Sequence, residues 1–332
     1  MDPSALHKLW RPGYPLTVVS RKDSVRLILP SLLFAVGFAL FHLLGNTADV
    51  ETWGRSALVW MVRRWQDSGI AMGSGDYSHG FLVPLASLYV VWTQRDALLK
   101  APKRGSAFGL TVVIGSLLLH YLGVKAQQTR LSLIAMIGVI WGVPFYLYGW
   151  NVAKRLLFPC AFLVFAVPLD FLEQLTFPLR LINSRVSADI LRGLGMDVQA
   201  NGTAIYGPPY DNTATLKLDV ADPCSGIRSL TAMMALTAVY GYLVMRGVWR
   251  KWALFFAAIP LAMAGNIVRI VSIGILSVAI NTNIATGLPH DYAGFIVFGI
   301  AIALMVGLSV VLNRDFKEVR DRWKRKLASA RI

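Results

Sequence analysis

The run Trp252–Ile280, WALFFAAIPLAMAGNIVRIVSIGILSVAI, carries a single ionisable side chain, Arg269. A helix of this length and apolarity is built to cross a bilayer, whose hydrocarbon core is about 30 Å thick. Seven further apolar runs surround it in sequence: Val25–Leu44, Gly80–Trp92, Ala107–Val124, Leu131–Gly149, Leu156–Leu169, Leu230–Met245 and Tyr292–Leu312. A chain of 332 residues that is 55% hydrophobic and only 15% charged has no other place for them. The expected fold is therefore an all-α polytopic membrane protein with about eight transmembrane helices.

The net charge of +15 is distributed as membrane anchoring requires. Arg95/Lys100/Lys103/Arg104, Lys154/Arg155, Arg246/Arg250/Lys251 and the tail from Arg314 to Arg331 alternate with the apolar runs. Eight spans put every cluster on the cytoplasmic side, together with the basic amino-terminal residues 1–24 and the tail 313–332. This pattern excludes nucleic acid as a partner, and the tail reads as a helix near anionic lipid. The first run is nearer anchor length than secretory-signal length, and no small-x-small cleavage pattern follows it. The expected location is the cytoplasmic (inner) membrane, with one integral domain over 25–312 and both termini inside.

The same topology turns Asn46–His79, Lys125–Arg130, Asp170–Ser229 and Asn281–Asp291 outward. In the longest of these, Phe171, Leu172, Leu175, Leu179, Leu181 and Ile182 have the spacing of an amphipathic helix lying against the membrane. Val198-Gln199-Ala200, Ala204-Ile205-Tyr206 and Thr215–Val220 follow as strand patterns, punctuated by turns at Asn201-Gly202 and Gly207-Pro208-Pro209. The Asn-Gly turn is a stronger reading of Asn201 than the glycosylation sequon it begins. Residues 170–222 are thus expected to form a small extracytoplasmic amphipathic-helix and β cap that excludes water or grips an extended peptide.

The cap leads into Asp222-Pro223-Cys224-Ser225-Gly226-Ile227-Arg228-Ser229, which sets a thiol at the outer surface. Arg228 and the positive end of a helix beginning at Ser225 are the groups able to lower its pKa. Arg228 has a second reading as an interfacial cap. Counting upward from Trp252 at about 1.5 Å per residue brings Arg269 to the outer interface. Asn266, three residues before it, shares its helix face, which points into a bundle more readily than toward lipid. His290 lies in the last outer loop. Cys224, Arg269 and His290 so reach one membrane face from three separate segments. A thiolate, a proton-shuttling histidine and a fixed cation are the parts of a cysteine acyl-transfer site. Asp291 and Asp222 are both available to orient the imidazole.

Cys224–Ser229, Asn266-Ile267-Val268-Arg269-Ile270 and the His290 turn resemble, in order and spacing, the three signature segments of the exosortase/archaeosortase family. Asp76-Tyr77-Ser78-His79-Gly80-Phe81-Leu82-Val83-Pro84 is similar to that family's amino-terminal half. The resemblance implies a multi-spanning cysteine transpeptidase or protease. Its substrates would be exported proteins of the PEP-CTERM kind, ending in a short motif, a hydrophobic helix and a basic tail. It also implies Cys224 as nucleophile, with Arg269 and His290 completing the site and their individual roles unassigned. The acyl-enzyme would pass to water or to an amine on a lipid or glycan carrier.

His79, on the same outer face, is either a substrate-binding residue or an interfacial cap. Cys160, between Pro159 and Ala161 in an apolar run, is expected to pack as a small hydrophobe. No glycine-rich phosphate loop, zinc-helix motif or dinucleotide fingerprint occurs, so no cofactor or metal is expected. The alternative from another class is a transporter or lipid-binding assembly protein in which Arg269 and His290 hold an anionic group. A thiol oxidoreductase is disfavoured because no Cys-x-x-Cys pair exists.

Overall fold

The computed structural model describes residues 21–47, 50–66, 77–169, 171–210, 216–219, 227–279 and 288–314. Helices dominate it: α1 Arg21–Leu44, α2 Val50–Trp53, α3 Ala57–Gln66, α4 Leu82–Thr93, α5 Arg95–Lys100, α6 Ala107–Lys125, α7 Thr129–Tyr148, α8 Trp150–Phe162, α9 Phe171–Gly193, α10 Ile227–Val244, α11 Val248–Ala279 and α12 Leu288–Asn313. Each of the eight apolar runs overlaps one of these helices, although Gly80–Trp92 begins in the 3₁₀ turn before α4 and Leu156–Leu169 continues past α8 into the 3₁₀ turn Leu163–Ala166. Among the described residues, Ala107–Lys125, Thr129–Tyr148 and Val248–Val278 are long and apolar enough to cross a membrane. Leu29–Leu44, Leu230–Val244 and Phe298–Asn313 are shorter apolar helices. The surface exposes Leu85, Leu88, Leu118, Phe256, Ile296 and Leu304, as lipid-facing helices do.

Helices in lipid gain little from hiding apolar surface against one another, so close backbone approach decides their packing. In the α6–α7 hairpin a Cβ on Gly109 would run into the Tyr146 backbone, and one on Gly142 would press on Val112 and Val113. The small residues are what let these two helices touch.

A helix absent from the sequence expectation, α3, occupies the Asn46–His79 segment. Its Ala57, Trp60, Met61, Arg64 and Trp65 face inward at helical spacing. Trp65 Nε1 donates to the Ala166 carbonyl at 2.8 Å, tying α3 to the short 3₁₀ turn Leu163–Ala166 after α8. Cys160 sits in this core among Leu133, Ile137 and Phe162, 7% exposed, in the packing role expected of it.

The cap contains a three-stranded antiparallel sheet, β1 Gln199–Asn201, β2 Ala204–Tyr206 and β3 Lys217–Asp219. Asn201 pairs with Ala204, leaving Gly202-Thr203 as a two-residue hairpin loop with Gly202 at φ +62. The Asn-Gly signal and the apolar alternation both predict this hairpin. Val198, Ile205, Leu216 and Leu218 bury themselves against Ala188 and Leu191 of α9 and Ile270 and Ile273 of α11.

The first cap element departs from expectation. The helix predicted to lie on the membrane instead runs beside α11, and in the same direction. Its Leu179 joins the cluster of Leu230, Met233, Ala258 and Ala262, while Leu191, twelve residues on, meets Gly274, twelve residues after Ala262. Its buried side chains are Thr176, Asn183, Ser184, Ser187, Ala188 and Leu191, whereas Phe177, Ile182, Val186 and Ile190 are exposed. Of the apolar positions that suggest a helix pressed onto a surface, Ile182 is exposed and Leu179 packs inward, and small polar residues fill most of the described buried face.

Candidate functional site

The α10–α11 hairpin and the contacts of α10 with α12 fix the heights of the residues at the capped end. Gly247, at φ +83, turns α10 into α11, and Gly241 lies against Lys251 across the pair. On the same level Tyr240 Oη and Ser309 Oγ share a hydrogen bond of 3.0 Å, joining α10 to α12. The Asn313 amide adds contacts to the Arg246 N–H at 3.3 Å and the Val244 carbonyl at 3.5 Å. From this level Arg269 is eighteen residues along α11 and His290 nineteen residues back along α12, so both backbones rise about 27–28 Å. Ile227, which opens α10, stands about 21 Å above it, level with Gly265 and next to the height of Asn266.

The capped end therefore gathers the first turn of α10, the Asn266–Arg269 turn of α11 and the first turn of α12. Asn266 is 5% exposed. Arg269 is half-buried with its Nε covered, while its neighbour Val268 is 51% exposed. The two polar side chains thus take the inward face. The β cap closes over them through Gly274, one and a half turns above Arg269. A Cβ at Gly274 would stand 3.0 Å from Leu191 and 3.3 Å from Leu218, so any side chain there would make both leucines shift.

His290 was expected in a loop and belongs instead to the first turn of α12, which begins at Leu288. Pro289 explains the earlier start, since its fixed φ suits a first helical turn and its missing N–H costs nothing there. Arg228 is the second residue of α10, which begins at Ile227 rather than Ser225. Cys224, Ser225, Asp222 and Asp291's side chain lie outside the described residues, as does the side chain of His290.

His79 sits on the 3₁₀ turn Ser78–Phe81 beside Tyr77, their rings 6.0 Å apart, and that turn packs on α3, α4 and Leu163–Ala166. Gly80 makes this possible, because a side chain there would collide with the Trp65 indole.

Sequence reasoning missed the inward face of α9. Thr176, Arg180, Asn183 and Ser187 repeat at helical spacing along it, and that polar periodicity was the available signal. Among the described residues no group of three or more His, Cys, Asp or Glu has the geometry to hold a metal ion.

Fold and site together define an integral membrane protein whose polar, partly charged centre sits at one capped end of an apolar bundle. The family model for transmembrane exosortases matches residues 65–307, from α3 to α12, and the chain belongs to that family of transmembrane cysteine peptidases and transpeptidases. No curated protein and no solved structure matches it.

Proposed function

We propose that this exosortase cleaves carboxy-terminal sorting signals of exported proteins at the outer face of the cytoplasmic membrane, using Cys224 as nucleophile. What supports the reading is the helical-rise count, which brings the Arg269 and His290 backbones to about the same height at the end where α10 begins. Three residues of chain join Cys224 to Ile227, a reach of at most about 11 Å even when extended. Basic clusters at the opposite ends of the helices support eight crossings, cytoplasmic termini and an outward-facing site.

In this reading the Cys224 thiolate attacks the scissile carbonyl and Arg269 offsets the negative charge that develops. Arginine suits that place because it keeps its charge where water is scarce. The carbon–nitrogen bond breaks as His290 passes a proton to the departing amine, leaving a thioester. Water or an amine on a lipid or glycan carrier then displaces the thiol. The substrate's own hydrophobic helix delivers the bond to the site, and its basic tail stays inside. Arg228, Ser225 and Asn266 tune or position the centre, with Asp222 available to the imidazole and His79 on the substrate's approach.

The test is the intact mass and carboxy terminus of a co-expressed protein ending in a motif, hydrophobic helix and basic tail. Wild type should process it, and Cys224→Ala at equal membrane expression should not. Added mass would identify the acceptor. Unchanged processing by Cys224→Ala would sink the nucleophile and favour a transporter or assembly protein that holds an anionic group.

A further inference from the structure

Four buried polar atoms on the paired helices α9 and α11 have no hydrogen-bond partner among the described residues: Asn183 Oδ1, Ser184 Oγ, Ser187 Oγ and Asn266 Nδ2. Their residues are 4%, 0%, 0% and 5% exposed. Buried polar atoms are paired in more than about nine cases in ten, and a helical serine ordinarily bonds back to its own helix. Ser277 does so on α11, donating to the Ile273 carbonyl at 2.8 Å. Four lapses in one seam are a different matter from one.

The heights bring these atoms together. Measured down from the Leu191–Gly274 contact, Asn183 and Asn266 both lie about 12 Å below it, Ser184 about 10 Å and Ser187 about 6 Å. Ser187 is thus nearly level with Arg269, and the seam runs from the candidate centre down along α11 toward mid-membrane. Its outer flank is the lipid-facing stripe of Phe177, Ile182 and Val186.

The chemistry of the four atoms selects the ligand. Arg269 stands level with Ser187 and Arg180 about 4–5 Å below Asn183, so cations flank the row, but an anion would leave the Asn183 Oδ1 acceptor unmatched, and none of the four atoms is the carboxylate a cation would want. A donor, an acceptor and two hydroxyls that serve as either match alternating N–H and C=O groups. The axial step from Asn183 to Ser187 is about 6 Å, close to the two-residue repeat of about 6.6–6.8 Å in an extended chain. We infer that the α9–α11 seam is the docking groove for the extended main chain of the substrate, just outside its transmembrane helix. It is closed in this structure, and α9 leans away to admit the peptide sideways from the bilayer. The inference rests on the peptidase reading and adds the groove to it.

The experiment has two arms. In the first, Ser184→Ala/Ser187→Ala and, separately, Asn183→Leu are compared with wild type for processing of the same sorting-signal protein and for Tm in detergent. The expected result is Tm at or above wild type with processing at least about tenfold slower. In the second arm, Ser187→Cys is placed in a chain carrying Cys160→Ala and Cys224→Ala. It is oxidised against single cysteines scanned through the substrate segment beside its hydrophobic helix. Crosslinks at alternate substrate positions, above those from a lipid-facing Ile300→Cys control, are expected. Wild-type processing speed in the alanine and leucine variants, a clear fall in their Tm, or crosslinks no stronger than the control would each overturn the groove. If Cys224→Ala still processes the substrate, the peptidase reading has failed instead, and the groove falls with it. Cysteine-dependent processing without the crosslinks condemns the groove alone.

Discussion

Two regions of this chain treat their buried small polar side chains differently. Around α1, α3 and α7 most are spent on each other, with Thr47 Oγ1 the exception among the described residues: Thr129 Oγ1 donates to Asn46 Oδ1 at 2.6 Å, the Asn46 amide donates to the Gly54 carbonyl, and His42 and Ser56 share a bond of 2.9 Å. His120 and Ser132 add a similar pair at 3.1 Å between α6 and α7. Along α9 and α11, Asn183, Ser184, Ser187 and Asn266 hold comparable chemistry with atoms left unmatched. Polar groups that close on one another stabilise a helix bundle in lipid, where an unmade hydrogen bond has no water to fall back on. Groups left unmatched weaken the contact they sit in. The first region reads as a lock and the second as a place kept for something else.

Substitution should separate the two. The largest effect is expected at the centre itself, where Arg269→Gln should lower kcat about 10²–10³-fold, as removal of a charge-stabilising donor does, with little change in Tm. Equal losses of kcat and Tm would make Arg269 a packing residue and erase the contrast. Next comes Gly274→Leu, which should force Leu191 and Leu218 off α11 at a cost of about 1–3 kcal/mol and loosen the cap, read as faster proteolysis between Gln199 and Asp219. Thr129→Val should lower stability by about 1–3 kcal/mol in a detergent melt, because it takes the donor from a buried acceptor. If Thr129→Val proves no more costly than Ser184→Ala, the distinction between lock and groove is lost.

The smallest effect is expected at Tyr210, whose hydroxyl donates to both Asp197 oxygens at 2.7 Å on the open side of the cap. That hydrogen bond, and then the nearby carboxylate charge, hold the phenol above its usual pKa of about 10. The bond's contribution is present below pH 10 and is lost as pH rises through the higher folded-state value. Tyr210→Phe should therefore give a slight drop in cap protection at pH 8 by amide exchange, and the difference from wild type should vanish once the phenol ionises. A large drop at pH 8 would place the Tyr210–Asp197 pair among the locks.

Much of this was legible in the sequence because apolarity is a strong signal over twenty residues. The helix positions follow from it, and the β1–β2 hairpin follows from Asn201-Gly202 between short alternating strands. Arg269 and Asn266 stood out because polar residues are rare in such runs. What was illegible is the row of small polar residues on α9. The spacing of Leu172, Leu175, Leu179 and Ile182 drew the reading to an apolar face against the membrane, while Asn183, Ser184 and Ser187 are the residues that are buried. In lipid the preference relaxes, and small polar residues take the interior instead. The helix α3 was missed for another reason. Its ten residues include Arg63 and Arg64, which dilute the apolar average, while the inward spacing of Ala57, Trp60, Met61 and Trp65 carries the real signal.

The 32 residues of α11 make a rod of about 48 Å, half as long again as a hydrocarbon core of about 30 Å. Rooted by the turn at Gly247, such a helix would work as a ruler in the proposed topology, carrying Arg269 toward the bilayer's edge with the cap packed a turn and a half beyond. In the proposed function, a substrate halted by its own basic tail would meet that mark at a constant elevation. Lengthen its apolar stretch by one helical turn and a different peptide bond, about 5 Å along, arrives at the line.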